Sequence, residues 1–168
     1  MVITADAARV AATVLDPELP MLTLADLGVL AGVEQRGEAV TVWLTPTYSG
    51  CPAVAEMAAD VDARLREVGY TDVRVRLRLD PPWSTDLITA EGRRKLAAAG
   101  IAPPAPGPSA PARPASGLLR LGPTRHLVSC PQCGSADTEE LSRFGSTACK
   151  ALWRCRACRE PFERMKEI

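Results

Sequence analysis

The sequence predicts an α/β (α+β) protein in two unequal parts: a small domain with a β-hairpin and a third strand covered by helices, then a small cysteine ribbon. Three observations carry this expectation. Apolar residues recur by turns at helical and at strand spacing through the first 100 positions. Four of the six cysteines fall in two C-x-x-C pairs near the C-terminus, and a proline-rich stretch lies between the two regions.

In chain order, Ala7, Val10, Ala11, Val14 and Leu15 share one helical face, which predicts a first helix over residues 4–15 with Thr4 as N-cap and Pro17 as its end. Leu27–Glu34 and Ala39–Thr45 follow, with Val40, Val42 and Leu44 on one face and Arg36-Gly37 between the runs; this predicts a β-hairpin. Val54, Met57, Ala58, Val61, Leu65 and Val68 then form a continuous stripe ended by Gly69, so the strongest helix is expected over Cys51–Val68. Val73, Val75, Leu77 and Leu79 alternate with Arg74, Arg76 and Arg78, a strand with one buried face and one arginine face, which is read as solvated, a binding site being the alternative. A short helix is expected from Thr89 to Gly100, with Glu91 in its first turn. Residues 101–124 hold seven prolines and no apolar period, which makes them a semi-rigid linker between a domain at 1–100 and a ribbon at 125–168.

Composition excludes several classes of function. The chain is formally neutral; residues 1–100 carry 14 acids and 10 bases, and residues 118–168 carry 6 and 9. Neither balance gives the concentrated basic surface that phosphate backbones require. Asp6 and Arg9 interrupt the first apolar stretch, which does not read as a signal peptide, and no segment reaches the roughly 18 apolar residues of a membrane span. A cytoplasmic location without a membrane partner follows, and there thiols are kept reduced and serve as ligands or reactive groups.

Cys130-Pro131-Gln132-Cys133-Gly134 and Cys155-Arg156-Ala157-Cys158 enclose 21 residues. Two residues between thiolates let a tight turn aim both sulfurs at one ion, and two such knuckles complete a closed tetrahedral site. A structural zinc is the expected occupant; a single iron, an iron-sulfur cluster or redox-active pairs are the alternatives. Cys149 is a fifth thiol of this segment that can replace a ligand, serve function or simply pack, and the single histidine, His126, is read as ordinary.

Cys51 stands alone in the first part. Ser49-Gly50-Cys51-Pro52 leads from a strand to the best helix, placing Cys51 at the expected N-cap and Pro52 at N1, where the helix dipole would favour a thiolate. A soft anionic sulfur can bind iron or act as a nucleophile; the alternative is a cysteine packed at a helix end. Asp16, at the expected C-terminal end of the first helix, opposes that helix's dipole, which invites either a functional role or an Asp-Pro turn.

Asp16-Pro17-Glu18, Asp26-Leu27-Gly28-Val29 and Thr47-x-x-x-Cys51-Pro52 together resemble the SufT-like family of small iron-sulfur assembly factors, over residues 6–100. Asp80-Pro81-Pro82-Trp83 is similar to that family's ending, and the family's fold agrees with the elements above. With a cysteine ribbon containing Phe144-Gly145-Ser146-Thr147-Ala148-Cys149-Lys150, the chain is similar to the PaaD family of accessory proteins of bacterial phenylacetate degradation. The resemblance implies a non-catalytic maturation factor that delivers or inserts an iron-sulfur cluster into the multicomponent phenylacetyl-CoA epoxidase, chiefly its reductase component and less so its di-iron oxygenase. It also implies Cys51 as the functional thiol, Asp16 and Glu18 as an acidic motif near it, and Thr47 as part of the cysteine loop. One thiol cannot close a four-ligand cluster, so a transient iron-sulfur cluster would need a homodimer, a client or a small thiol to complete its coordination. Two rivals remain: a nucleic-acid-binding zinc ribbon, suggested by Lys150, Arg154, Arg156 and Arg159, and a thiol-dependent enzyme with Cys51 as nucleophile.

Overall fold

The computed structural model describes residues 6–48, 50–105 and 128–167. It divides into two compact units that part between Ala99 and Gly100.

The first unit opens with helix α1 (Ala7–Ala11), capped by Asp6, whose carboxylate accepts from the Ala8 N–H at 2.9 Å. Two expectations are corrected here. Asp6 does the capping assigned to Thr4, which lies outside the described residues, and the helix ends at Ala11, capped by Ala12, rather than running to Leu15. Val14 is still buried, but as part of an irregular segment in which Leu19, Leu22, Leu24, Leu27 and Val29 fill the core. Strands β1 (Leu30–Arg36) and β2 (Ala39–Leu44) form the expected hairpin about Gly37, at φ +64°. The hairpin starts three residues later than the apolar run suggests, because Gly28 at φ +70° turns the chain.

Helix α2 (Val54–Glu67) buries Met57, Val61 and Leu65 and crosses over to β3 (Asp72–Leu77), which pairs parallel with β2. The sheet order is β1-β2-β3, with α1 and α2 packed on it. The alternation in β3 is only partly realised: Val73 is buried, whereas Leu77 and Leu79 are 50% and 59% exposed. Leu77 is the last residue of β3, which has no neighbour on its outer side among the described residues, and Leu79 lies beyond the strand. The arginine row faces outward, where Arg76 and Arg78 stack over Trp43 at 5.9 and 4.9 Å from the ring centroid.

A 3-10 turn (Thr85–Leu87) and helix α3 (Ala90–Ala98) complete the unit, with Thr89 as N-cap accepting from the Gly92 N–H at 2.9 Å. Asp26-Leu27-Gly28 receives this tail. The Trp83 indole N–H donates to the Leu27 carbonyl at 2.8 Å, the Thr89 N–H donates to the Asp26 carbonyl at 2.9 Å, and Lys95 Nζ lies 2.7 Å from Asp26 Oδ2. Burial alone would raise the Asp26 carboxyl; Lys95 and the Thr23 hydrogen bonds outweigh it and hold the group below its ordinary value.

Gly92 shows how close this docking is: a Cβ there would sit 2.6 Å from the Asp26 carbonyl oxygen. Replacing glycine by alanine within a helix ordinarily stabilises by about 1 kcal/mol. At Gly92 the sign reverses, because backbone oxygen cannot yield as a side-chain tip can; Gly92→Ala is expected to destabilise the first unit by about 1–3 kcal/mol, read as a lower denaturation midpoint.

The second unit is a four-stranded sheet, ordered β4 (Ile101–Ala102), β7 (Pro161–Met165), β6 (Lys150–Cys155) and β5 (Thr138–Ser142). Ile101–Ala102, expected to begin the linker, instead pair with Glu163 and Arg164 of β7. The rest of the proposed linker, and His126, lie largely outside the described residues. The core is small: Ala102, Val128, Ala151, Trp153 and Phe162, together with the two buried cysteines Cys130 and Cys155.

Candidate functional site: a four-cysteine metal centre and the Cys51 loop

Cys130 and Cys133 precede β5, Cys155 is the last residue of β6, and Cys158 lies in the turn before β7. Both knuckles have the same backbone plan. The Cys130 N–H donates to the Ser135 carbonyl at 2.9 Å and the Cys155 N–H to the Glu160 carbonyl at 3.0 Å. The residue after each second cysteine adopts positive φ, Gly134 at +75° and Arg159 at +65°. Glycine does so without strain, whereas Arg159 bears the Cβ penalty.

The four sulfurs lie within 4.8 Å of one another, with Cys130 to Cys158 at 3.8 Å and Cys133 to Cys155 at 3.5 Å. Zinc–sulfur bonds of about 2.3 Å in tetrahedral array put their sulfurs about 3.8 Å apart, so the donors present fit such an ion. The electrostatics agree. The Cys158 N–H, 3.5 Å from Cys155 Sγ, is the main cause that lowers the Cys155 thiol to about 7. A backbone hydrogen bond from Glu160 favours the Cys158 anion, but desolvation and the three neighbouring sulfurs push that thiol up to about 12. The cluster thus resists holding four negative charges until a cation is placed among them.

Cys149 is not part of this cluster. It is buried, with its sulfur 3.1 Å from Thr147 Oγ1. Of the cations flanking the second knuckle, Arg154 and Arg156 both bind the Glu139 carboxylate, and the buried Lys150 lies 3.0 Å from Glu163 Oε2. Three of the four charges that suggested nucleic acid are thereby neutralised.

Cys51 lies elsewhere, half-buried on the loop between β2 and α2. Its expected capping position is corrected: the N-cap is Ala53, with no side-chain cap, and Pro52 sits in the turn ahead of the helix. The loop is a tight turn in which the Cys51 N–H donates to the Tyr48 carbonyl at 3.2 Å and the Val54 N–H to the Cys51 carbonyl at 3.4 Å. Thr45, Pro46, Thr47 and Tyr48 of this loop, with Leu79, Pro82 and Trp83, line an apolar groove of about 270 Å³.

Asp16 is 4% exposed, and its Oδ1 accepts from the N–H groups of Glu18 at 2.9 Å and Leu19 at 2.8 Å. Because α1 ends at Ala11, Asp16 does not oppose a helix dipole; the turn geometry is what its carboxylate serves. Glu18 is half-buried beside it in that turn. Sequence reading missed Asp26 as a structural hub. Its one local signal is the Thr23-x-x-Asp26 spacing, realised as reciprocal 3.0 Å hydrogen bonds.

Residues 6–84 match the iron-sulfur cluster assembly protein family, and residues 117–166 match the PaaD zinc beta ribbon domain. An Escherichia coli K12 protein, provisionally named as one of the subunits of 1,2-phenylacetyl-CoA epoxidase, is 46% identical over 91% of this chain and 86% of its own length. The Fe-S protein maturation auxiliary factor of Porphyromonas gingivalis is 33% identical over 54% of this chain and 88% of its own. The crystal structure of a domain of unknown function, DUF59, from Bacillus anthracis superposes with a TM-score of 0.50 at 25% identity, covering 54% of this chain and 87% of that one. The order of an iron-sulfur cluster assembly domain and a four-cysteine ribbon, with similarity running through both, shows that this chain belongs to the PaaD family.

Proposed function

We propose that the protein is a cytoplasmic, non-catalytic maturation factor that carries an iron-sulfur cluster on Cys51 to the phenylacetyl-CoA epoxidase, with the reductase component as client, while zinc holds the ribbon. The observation that carries this reading is the separation of the two kinds of cysteine. Four sulfurs saturate one tetrahedral ion, whereas Cys51 stands in the other unit, on a turn beside an apolar groove and within the segment similar to iron-sulfur assembly proteins. The names borne by the relatives support the client and the type of cargo.

A cluster bound through one protein thiolate is incompletely held, which suits transfer better than storage. The remaining ligands come from a second copy of the chain, a small thiol or the client itself. Thr47 shapes the groove wall, and Asp16 and Glu18 contribute through the turn they form. No helix among the described residues is long and apolar enough to cross a membrane.

Anaerobic purification followed by iron, sulfide and zinc analysis and transfer to apo-reductase tests the proposal. Wild-type protein is expected to hold one zinc and, after reconstitution, iron and sulfide that move to the reductase. Cys51→Ala should keep the zinc and lose the rest. Equal transfer by both proteins would refute the carrier role.

A further inference from the structure

The segment Phe144–Lys150 supplies no ligand to the four-sulfur centre, yet it is tied to the sheet at almost every residue. Lys150 is 5% exposed and lies 3.0 Å from Glu163 Oε2, while Glu163 Oε1 accepts from the Ser146 N–H at 2.6 Å. The Gly145 N–H donates to the Lys150 carbonyl at 2.9 Å, and a Cβ at Gly145 would come within 2.8 Å of Glu163 Oε1. Lys166 closes the far side, its N–H donating to the Cys149 carbonyl at 2.9 Å and its Nζ to the Ala148 carbonyl at 2.7 Å.

Phe144 is the exception. Its backbone N–H is held by Ser142 Oγ at 3.1 Å, but the residue is 77% exposed, more than any other large apolar residue among those described. A ring kept in water on a fastened backbone has little ordering entropy left to lose on binding, which is the property of an interface anchor. The charge closest to the ring is a cation, Lys166 Nζ at 5.2 Å from the centroid, and the exposed Arg143 precedes Phe144 in the chain; in the cleft that Arg143 and Lys166 line, these two and Arg164 outnumber the carboxylates Glu140 and Glu167. A partner that buries the ring must complement those charges.

We propose that Phe144 anchors a docking surface of the ribbon, and that the partner is a component of the epoxidase presenting an apolar pocket rimmed by carboxylates. The inference rests on the epoxidase being the client and adds which unit recognises it: the ribbon docks, and the Cys51 domain works on the docked client. A lipid surface is the weaker occupant, because one ring and two cations fall short of the two signals that stable membrane attachment takes.

Isothermal titration of the zinc-loaded full chain against each purified epoxidase component provides the test. Wild type, Phe144→Ala and Arg143→Glu are compared, with zinc content and circular dichroism confirming that both variants fold. Phe144→Ala is expected to raise Kd at least roughly tenfold, and Arg143→Glu to weaken binding most at low salt. Equal affinity of wild type and Phe144→Ala for a component overturns the docking role and leaves the maturation role standing. Absence of wild-type binding to every component overturns both. Phe144-dependent sedimentation with vesicles of phosphatidylserine and phosphatidylcholine, or Phe144-dependent self-association in gel filtration, reassigns the ring and overturns the proposed partner.

Discussion

Stripping the metal with a strong chelator is expected to unfold the ribbon and leave the first unit intact. Structural zinc in small cysteine modules contributes apparent binding energies of about 10–16 kcal/mol, which in such modules is folding energy. The ribbon has little to set against that loss. Two of its seven core residues, Cys130 and Cys155, are themselves ligands, so removing the ion also leaves clustered thiols inside the apolar cluster. Cys130→Ser should act likewise, since a hydroxyl is a poor ligand for zinc and a poor core residue. Hydrogen exchange gives the reading: amides of β6 and β7 lose protection while those of β2 and α2 keep theirs. Retention of protection in β6 by metal-free protein would contradict the assignment.

In cells, Cys51→Ala is expected to leave the protein folded and abundant while the reductase accumulates without its cluster. Growth on phenylacetate should fail and growth on a sugar should not change. Truncating a half-buried side chain on a turn costs little, so the phenotype cannot be put down to loss of protein. Asp16 needs a gentler probe. Asp16→Ala would strip the N–H groups of Glu18 and Leu19 of their acceptor and cost about 1–3 kcal/mol, whereas Asp16→Asn retains an acceptor and removes only the charge. Cluster occupancy of the reductase at equal protein levels is the measurement, and full occupancy in Cys51→Ala cells would sink the carrier mechanism.

Local spacing made the strongest features legible. The stripe from Val54 to Leu65, the Arg36-Gly37 turn and the two C-x-x-C pairs each declare their geometry within a few residues, and they appear as α2, the hairpin and the four-sulfur cluster. What was not legible depends on partners distant in the chain. Asp26 and Lys95 are 69 residues apart, and Trp83 and Leu27 are 56 apart, so nothing near Leu27–Val29 shows that this apolar run receives a tail instead of starting a strand. Leu77 and Leu79 alternate as a half-buried strand should, but the strand stops at Leu77 and both side chains are left exposed. At Cys51 the error was one of register: proline at N1 and a polar residue before it are common at helix starts, yet the turn from Tyr48 delays the helix by two residues and leaves Ala53 in the capping place.

Ile101–Ala102 alter how the ribbon can be handled as an independent piece. Without them β7 becomes the margin of its sheet, with the backbone groups facing them at Glu163 and Arg164 open to any passing strand. Unprotected margins of this kind recruit other chains into mixed sheets. A ribbon excised at residue 125 should therefore be prone to aggregate even with its metal in place, and one that begins at Gly100 keeps the two-residue strip that guards it.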